Sequence, residues 1–486
     1  MKKINFKLIG VLMLVLLGFG SCKKWIDTDI NTTPNSPPDA DMSTILSYAE
    51  TNMAYNTIGG NDISRVTSIW MQYIAGVSRQ SNAEQNYYWY NSDDNNLWNG
   101  DYATTMSDLR KIISKADAKL TATSSPADKK IGHIYKGIAE VLLANTLGVV
   151  TDVWGDIPYS DAFQGAANLQ PKFDTQEQIY ALINATLDDA IANLTSSDGV
   201  GTAERDLMFG GKAAPWTAAA WSFKARYALH LSKLQGATAY QNALAAIANG
   251  AISSNDGDLQ FNFPGYPYSN PFFNFENERG DVTMHKTFID MLNTRFDPRE
   301  PVYADPYGPN GEWIGAGFDY GGDGSELAWP GSAVAYETSP VQFITNAETM
   351  FIKTECEFQT GVAESTVKDD LVASVRASMD KWGVTTDAYM AAYDSAIRVA
   401  TVTGVALYHE IMVQKYIALY MQLETFNDWR RTENIIGLAV NDFSTAARHA
   451  IPRRYPYSVD EVTYNSKTPK IADIWVPVWW DVHTGK

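Results

Sequence analysis

The 486-residue chain begins several catalytic motifs and completes none of them. His409-Glu410 opens the His-Glu-x-x-His pattern, in which two imidazoles one helical turn apart share a zinc ion. The fifth position is Val413, so the second ligand is missing and His409 reads as a surface or partner-contact residue of a helix. Gly315-Ala316-Gly317 opens a dinucleotide fingerprint, but Tyr320 stands where the last glycine belongs, and no strand–helix context surrounds it. No Gly-x-Ser-x-Gly occurs, so there is no nucleophile elbow. Cys356 follows a helical run and reads as core. Asp319, Asp323 and Glu326 could face a calcium ion, but their spacing is not that of an EF-hand, and solvated loop acids are the simpler reading. Acids are plentiful, so a carboxylate pair for glycoside cleavage stays open, although no pair stands out. No catalytic residue, metal ligand or cofactor is therefore assigned.

Binding has more to work with. Sugar rings present C–H faces that stack on aromatic planes, and their hydroxyls seek amides, acids and guanidinium groups at the rim. The chain offers this mixture twice. Tyr87-Tyr88-Trp89-Tyr90 runs among Asn, Ser and Asp, and a regular element there would bury some of the four rings and expose the others. Tyr303, Tyr307, Trp313, Tyr320, Trp329 and Tyr336 punctuate Gly-rich loops. Exposed rings in loops on a rigid scaffold are where recognition concentrates. Tyr88, Trp89, Tyr90, Tyr307, Trp313, Tyr320 and Trp329 are the candidate ligand-binding residues. The competing reading is that long loops need a small core of their own, which the same rings would supply. The Trp429-Arg430-Arg431 and Arg453-Arg454 clusters read as partners of acids inside the scaffold.

The elements that carry these residues follow from pattern. Lys2, Lys3 and Lys7 precede an uncharged run from Leu8 to Gly20, far short of the ~20 residues that cross a bilayer. This is a signal peptide, residues 1–21. Gly20-Ser21-Cys22 resembles a lipobox, in which the Cys22 thiol is acylated and becomes the first residue of the mature chain; an ordinary signal cut near Ser21 is the alternative. No other stretch approaches 18 apolar residues in a row, so any further membrane contact would be through that lipid alone. With Cys22 acylated, Cys356 has no partner and the fold cannot rest on disulfides. The formal charge of −18, more negative still once the signal lysines are gone, argues against nucleic acid and anionic headgroups as partners.

Residues 22–42 are a Pro/Asn-rich tether, and 43–486 read as one domain. Helical periodicity covers 43–253 and 347–450. Ile131, Ile134, Ile138, Val141 and Leu142 form one stripe, running into a loop at Gly148. Asp174 with Glu177 resembles a capping box. Residues 404–431 read as a single long helix with Tyr408, Met412, Tyr416, Leu419, Leu423 and Phe426 on one face. Residues 254–346 are a Gly/Pro- and aromatic-rich insertion with one short helix near 284–293, and 451–486 are an irregular tail. Paired amphipathic helices suggest a mostly α, tetratricopeptide-like repeat scaffold.

Four segments in order resemble the SusD/RagB-like nutrient-binding lipoproteins of Bacteroidetes outer membranes, in the SusD-like 2 branch. They are the lipobox with DINTTPNSPP; LGVVTDVWGDIPYSDAF with PKFDTQEQIYALI; NPFFNFENERGDVTMHKTFIDMLNTRFDPREPVYADP; and EIMVQKYIALYMQLETFNDWRRTE with IPRRYPYSVDEVTYN. The resemblance implies a helical tetratricopeptide-like body with a loop-rich binding half. It implies a lipid-anchored protein of the outer membrane, facing outward, that captures oligosaccharide without catalysis and passes it to a SusC-like TonB-dependent barrel. Peptide capture, known in some relatives, is the alternative, and a glycan-cleaving enzyme is the alternative of another class.

Overall fold

The helices that order this chain are amphipathic and bury their apolar faces against one another. The computed structural model describes residues 39–197, 205–307 and 311–481; Cys22 and most of the tether lie outside them. Met42–Lys486 forms one compact unit. Its longer helices are α1 (Met42–Asn52), α2 (Ser107–Asp117), α3 (Pro126–Trp154), α4 (Gln176–Ser196), α5 (Ala213–His230), α6 (Ala237–Ala248), α7 (Pro271–Arg279), α8 (Lys286–Arg295), α9 (Asn346–Gln359), α10 (Glu364–Lys381), α11 (Asp387–Ile397), α12 (Gly404–Ala418) and α13 (Leu423–Arg431). Each packs on the next along the scaffold: α2 on α3, α3 on α4, α4 on α5, α5 on α6, α6 on α9 and α9 on α10. The body is mostly α, with a tetratricopeptide-like stack as its frame.

α3 is longer than its apolar stripe suggests. Ser125 caps it by accepting the Asp128 N–H (3.1 Å), with Pro126 in the first turn, where its missing N–H costs nothing. The helix runs through Gly148 to Trp154 instead of ending in a loop. Gly148 is an interior notch: a Cβ there would overlap the Tyr227 hydroxyl of α5. α3 is long and apolar enough to cross a membrane, yet its apolar window is wholly buried inside the body. α4 starts one residue later than the acid pair suggested. Thr175 and Gln178 form the capping box, while Asp174 accepts the Tyr159 and Ser160 N–H groups and the Ser160 hydroxyl.

The long helix expected over 404–431 is two. Between α12 and α13 Met421 takes a left-handed φ of 57°. The break lets Tyr420 turn into a ring cluster, stacked on Phe288 (5.1 Å) and against Tyr303 (4.6 Å). Tyr416 stacks on Tyr73 (4.3 Å) and donates to Met71 O (2.6 Å). The insertion is likewise more ordered than its composition suggests. Beyond α7 and α8 it carries strands of three two-stranded antiparallel ladders. β1 (Ile74–Gly76) pairs with β3 (Val282–Met284), β2 (Leu259–Phe261) with β6 (Val341–Ile344), and β4 (Ala304–Asp305) with β5 (Trp329–Pro330). Cys356 is buried in the α5–α6–α9 core, which pushes its thiol pKa up and leaves it inert.

A buried charge network crosses the frame. Arg226 of α5 grips Glu348 of α9 in a fork (2.6 and 2.7 Å). His230 reaches Glu424 of α13 (2.7 Å) and Asp152 of α3 (3.3 Å). Arg431 forks onto Glu355 (2.6 and 2.8 Å) and reaches Asp428 (2.7 Å), which also takes Lys415 (2.8 Å). Of the two basic clusters, Arg431 and Arg453 thus find acids, Arg453 through Asp481 (2.5 Å). Arg430 and Arg454 instead donate to main-chain carbonyls, among them Asp152 O and Trp154 O.

Two outcomes follow. Burial pulls His230 towards neutrality, but Glu424 and Asp152 outweigh it and hold the ring charged, up to about 9 from 6.5. A raised base contributes stability fully below the unfolded value and loses it as pH rises through the folded one. Burial also raises Asp101 from 3.8 and Glu140 from 4.5 to about 7, with the same sign but in the window below that of His230. Thermal stability should therefore fall between pH 6.5 and 9, with His230 accounting for roughly 3 kcal/mol at about 1.4 kcal/mol per unit; melting curves of His230→Gln should show a shallower slope there. Gly148→Ala should destabilise by about 1–3 kcal/mol through overpacking, despite the ~1 kcal/mol that alanine gains in a helix. Chemical denaturation of the Gly148→Ala/Tyr227→Ala pair should be less than additive.

Candidate functional site

The run Tyr87–Tyr90 leaves the helix Arg79–Gln85 through a left-handed Tyr87 (φ 62°), and its rings alternate inward and outward. Tyr87 is buried and its hydroxyl accepts the Asn441 N–H (2.9 Å). Trp89 turns in, against Trp70 (6.0 Å) and Tyr455 (4.7 Å). Tyr88 and Tyr90 turn out, 40% and 66% exposed. Tyr88 shares a hydrogen bond with the Thr445 hydroxyl (2.6 Å), and Tyr90 N–H donates to Asp93 (3.0 Å), closing the turn.

Opposite stands the tail, and between them lies a cleft of about 760 Å³, within the usual range for ligand sites. Tyr457 and Trp475 are the tail's rings on it. Tyr457 is fixed by its hydroxyl to Asp156 O (2.8 Å) and edge-on to Phe173 (5.3 Å). Trp475 is fixed by its indole N–H to Ala450 O (2.6 Å). The polar lining is mostly committed: Asn465 donates to Pro171 O (2.8 Å), Ser466 to Gln170 (2.8 Å), and Asp473 pairs with Arg448 (3.0 Å). Two lining groups make no side-chain hydrogen bond among the described residues, the Asn91 amide and the Lys470 ammonium, and the Trp89 indole N–H is buried without a partner.

The arrangement can hold a ring between aromatic planes and offer donors at its edge. Glycoside hydrolysis needs two carboxyl groups about 5–10 Å apart, and the lining holds one, Asp473, already clamped by Arg448.

Of the seven rings expected to contact ligand, Tyr88 and Trp89 line this cleft. Tyr90 stands beside them in sequence, outside the lining. The other four belong to the insertion. Trp313 donates its indole N–H to Ala304 O (3.2 Å). Trp329 lies in β5 with its ring over Gly280. Tyr320 packs on Ala75, Ala316 and Leu327, its hydroxyl accepting from Gly324 (3.0 Å). Tyr307 is exposed and pairs through its backbone with Glu312. Three of these rings thus serve the loops' own core, and Tyr303 is fully buried. Sequence reasoning passed over Tyr457, Trp475, Asn91 and Lys470; the aromatic and proline density of the tail was the available signal. Asp319, Asp323 and Glu326 are exposed loop acids.

One buried acid–imidazole cluster, Asp152, His230 and Glu424, has the donor types of a metal site. Both ring nitrogens already face a carboxylate, and Tyr180 donates to Asp152 (2.5 Å), so a proton fills the role an ion would take.

Residues 34–458 match a family model described as starch-binding and associating with the outer membrane. The chain belongs to the SusD-like 2 family. The fold agrees. A SusD/RagB family protein from Bacteroides thetaiotaomicron is 25% identical, with 91% of this chain and 99% of that one covered and a TM-score of 0.75. A chitin-binding SusD homolog from Flavobacterium johnsoniae is 22% identical over 91% and 99%, with a TM-score of 0.78. A SusD homolog from Bacteroides fragilis is 19% identical over 91% and 100%, with a TM-score of 0.74. No curated protein matches. SusD-like proteins are binding proteins that associate with the outer membrane.

The alternation sorts the two cleft rings energetically. Trp89→Ala should cost about 3–5 kcal/mol in stability by emptying a packed site, whereas Tyr88→Ala should stay within about 0.5 kcal/mol; urea titration of both variants measures the difference.

Proposed function

We propose that this chain is a lipoprotein of the outer membrane, anchored through Cys22 and facing outward, that binds oligosaccharide in the Tyr88–Trp475 cleft and hands it to a SusC-like TonB-dependent barrel without altering it. The cleft itself carries the reading: aromatic planes on both walls, unspent donors at the edge and no second carboxylate. The family description and the chitin-binding relative support a polysaccharide fragment as the ligand. Within the cleft we assign Tyr88 and Trp475 to stacking and Asn91 and Lys470 to hydrogen bonding, while Trp89 shapes the wall. Tyr90 extends the site along a longer chain. Tyr307, the exposed ring of the insertion, is a further contact for such a chain, while Trp313, Tyr320 and Trp329 shape the loops that present it. The acidic body suits this role, since it keeps an exported protein soluble and away from anionic headgroups.

Titration with malto- and chito-oligosaccharides, followed by calorimetry and Trp fluorescence, tests the assignment. Tyr88→Ala and Trp475→Ala should each weaken binding about tenfold, the worth of one stacked ring. Product analysis should find no new reducing ends; their appearance would establish an enzyme instead. Binding of oligopeptides alone would replace the glycan with a peptide. Labelled palmitate should enter the wild-type chain in cells and not Cys22→Ser.

A further inference from the structure

A second concavity of about 770 Å³ lies on the helical frame and shares no residue with the cleft. Three helices build it from residues at helical spacing: Tyr180 and Asn184 of α4, Trp221 and Ala228 of α5, Asn242 and Ala245 of α6, with Asn249 just past the end of α6. The tail completes it with Trp479.

Trp479 and Trp480 repeat the alternation of the Tyr87–Tyr90 run. Trp480 is fully buried, its N–H donating to Asp152 (2.9 Å) and its ring under the Arg430 guanidinium (4.5 Å). That anchor turns Trp479 the other way, half-buried, with its ring 6.2 Å from Tyr180. Trp221 is half-buried as well. It packs against the α5–α6 core, which leaves the rest of the indole to the groove. The groove's one cation, Lys224, is paired with Asp188. Around the two indoles the amides of Asn184, Gln235, Asn242 and Asn249 make no side-chain hydrogen bond among the described residues. Two rigid indole faces framed by amides, with the exposed Glu177 as the lining's one acid and no unpaired cation, match a sugar chain without acidic groups. A docking helix would want a continuous apolar stripe, and four amides interrupt one.

We infer that this groove is a second saccharide-binding surface, taking a neutral oligosaccharide between Trp221 and Trp479. Calorimetry on the detergent-solubilised full chain with maltohexaose and chitohexaose tests it. For at least one of the two, two sites per chain are expected. Tyr88→Ala should keep one of them, and Trp479→Ala in that background should weaken it about tenfold. Asn184→Ala with Asn242→Ala, both on exposed helix positions, should weaken the same site with an unchanged melting temperature, which separates contact from misfolding. A single site that Tyr88→Ala removes overturns the groove and leaves the cleft standing. A single site lost only with Trp479→Ala supports the groove and removes the cleft. No uptake of either hexasaccharide overturns both.

Discussion

Ten ionisable groups taken out of water together are the constraint on which the rest of this molecule depends. Asp152, Glu348, Glu355, Glu424 and Asp428 face Arg226, His230, Lys415, Arg430 and Arg431, all buried. The set is balanced when His230 is charged, which is the state its neighbours impose. An unpaired ion in such a place would cost several kcal/mol, and removing one partner of a buried pair typically costs about 3–5 kcal/mol. Most of the pairs are distant in sequence, and α3, α5, α9, α12 and α13 must all be in place before the whole set is satisfied. The network therefore acts as a register check. A shift of one helix past another could keep much of its apolar burial but would separate these ion pairs, and Arg430, which has no carboxylate partner among the described residues, would lose the carbonyls that hold it.

The same network reaches the cleft and the groove through the tail. Asp152 takes the Trp480 indole (2.9 Å) and Asp481 takes Arg453 (2.5 Å), so an irregular, proline-punctuated segment is held at fixed points. Arg454 and Tyr455 continue the anchorage onto Trp154 and Val153 of α3. A segment without its own helical hydrogen bonds can present a ring rigidly only if its backbone is tied elsewhere. That is why Trp475 and Trp479 can serve as fixed planes although neither lies on a helix. A second cluster does the equivalent for the insertion: Tyr73, Phe288, Tyr303, Tyr416 and Tyr420 interlock across the scaffold, with Tyr73 and Tyr416 donating to main-chain carbonyls.

Much of this was legible as pattern. The stripe of Ile134, Ile138, Val141 and Leu142 is core in the fold, and the alternation of Tyr87–Tyr90 follows from placing four rings on a chain with two sides. What was not legible depended on partners remote in sequence. Gly148 looks like a helix end until Tyr227 is seen filling its notch. Asp174 looks like a cap until its carboxylate is found on Tyr159 and Ser160. Residues 404–431 look like one helix because the stripe is unbroken; the break at Met421 exists to place Tyr420 among rings from the insertion. The tail failed for a related reason. Periodicity is the main signal in a lone sequence, and a segment held by side chains reaching out from other elements has none.

The economy of the cleft bears on how tightly it needs to hold. A stacked ring contributes about 0.5–1.5 kcal/mol beyond its buried area, and much of what a flexible sugar gains is spent on its ordering. Two walls of one ring each and a few donors thus suit weak capture rather than retention. In the proposed arrangement weakness is useful. A short flexible link between two sites gives an effective concentration in the millimolar range, so a lipoprotein beside its transporter need not bind tightly to deliver. Tighter binding would slow release, because affinity is set mainly by the off-rate. The single clamped carboxylate fits the same logic: a site that must let its ligand go unchanged gains nothing from groups that would attack it.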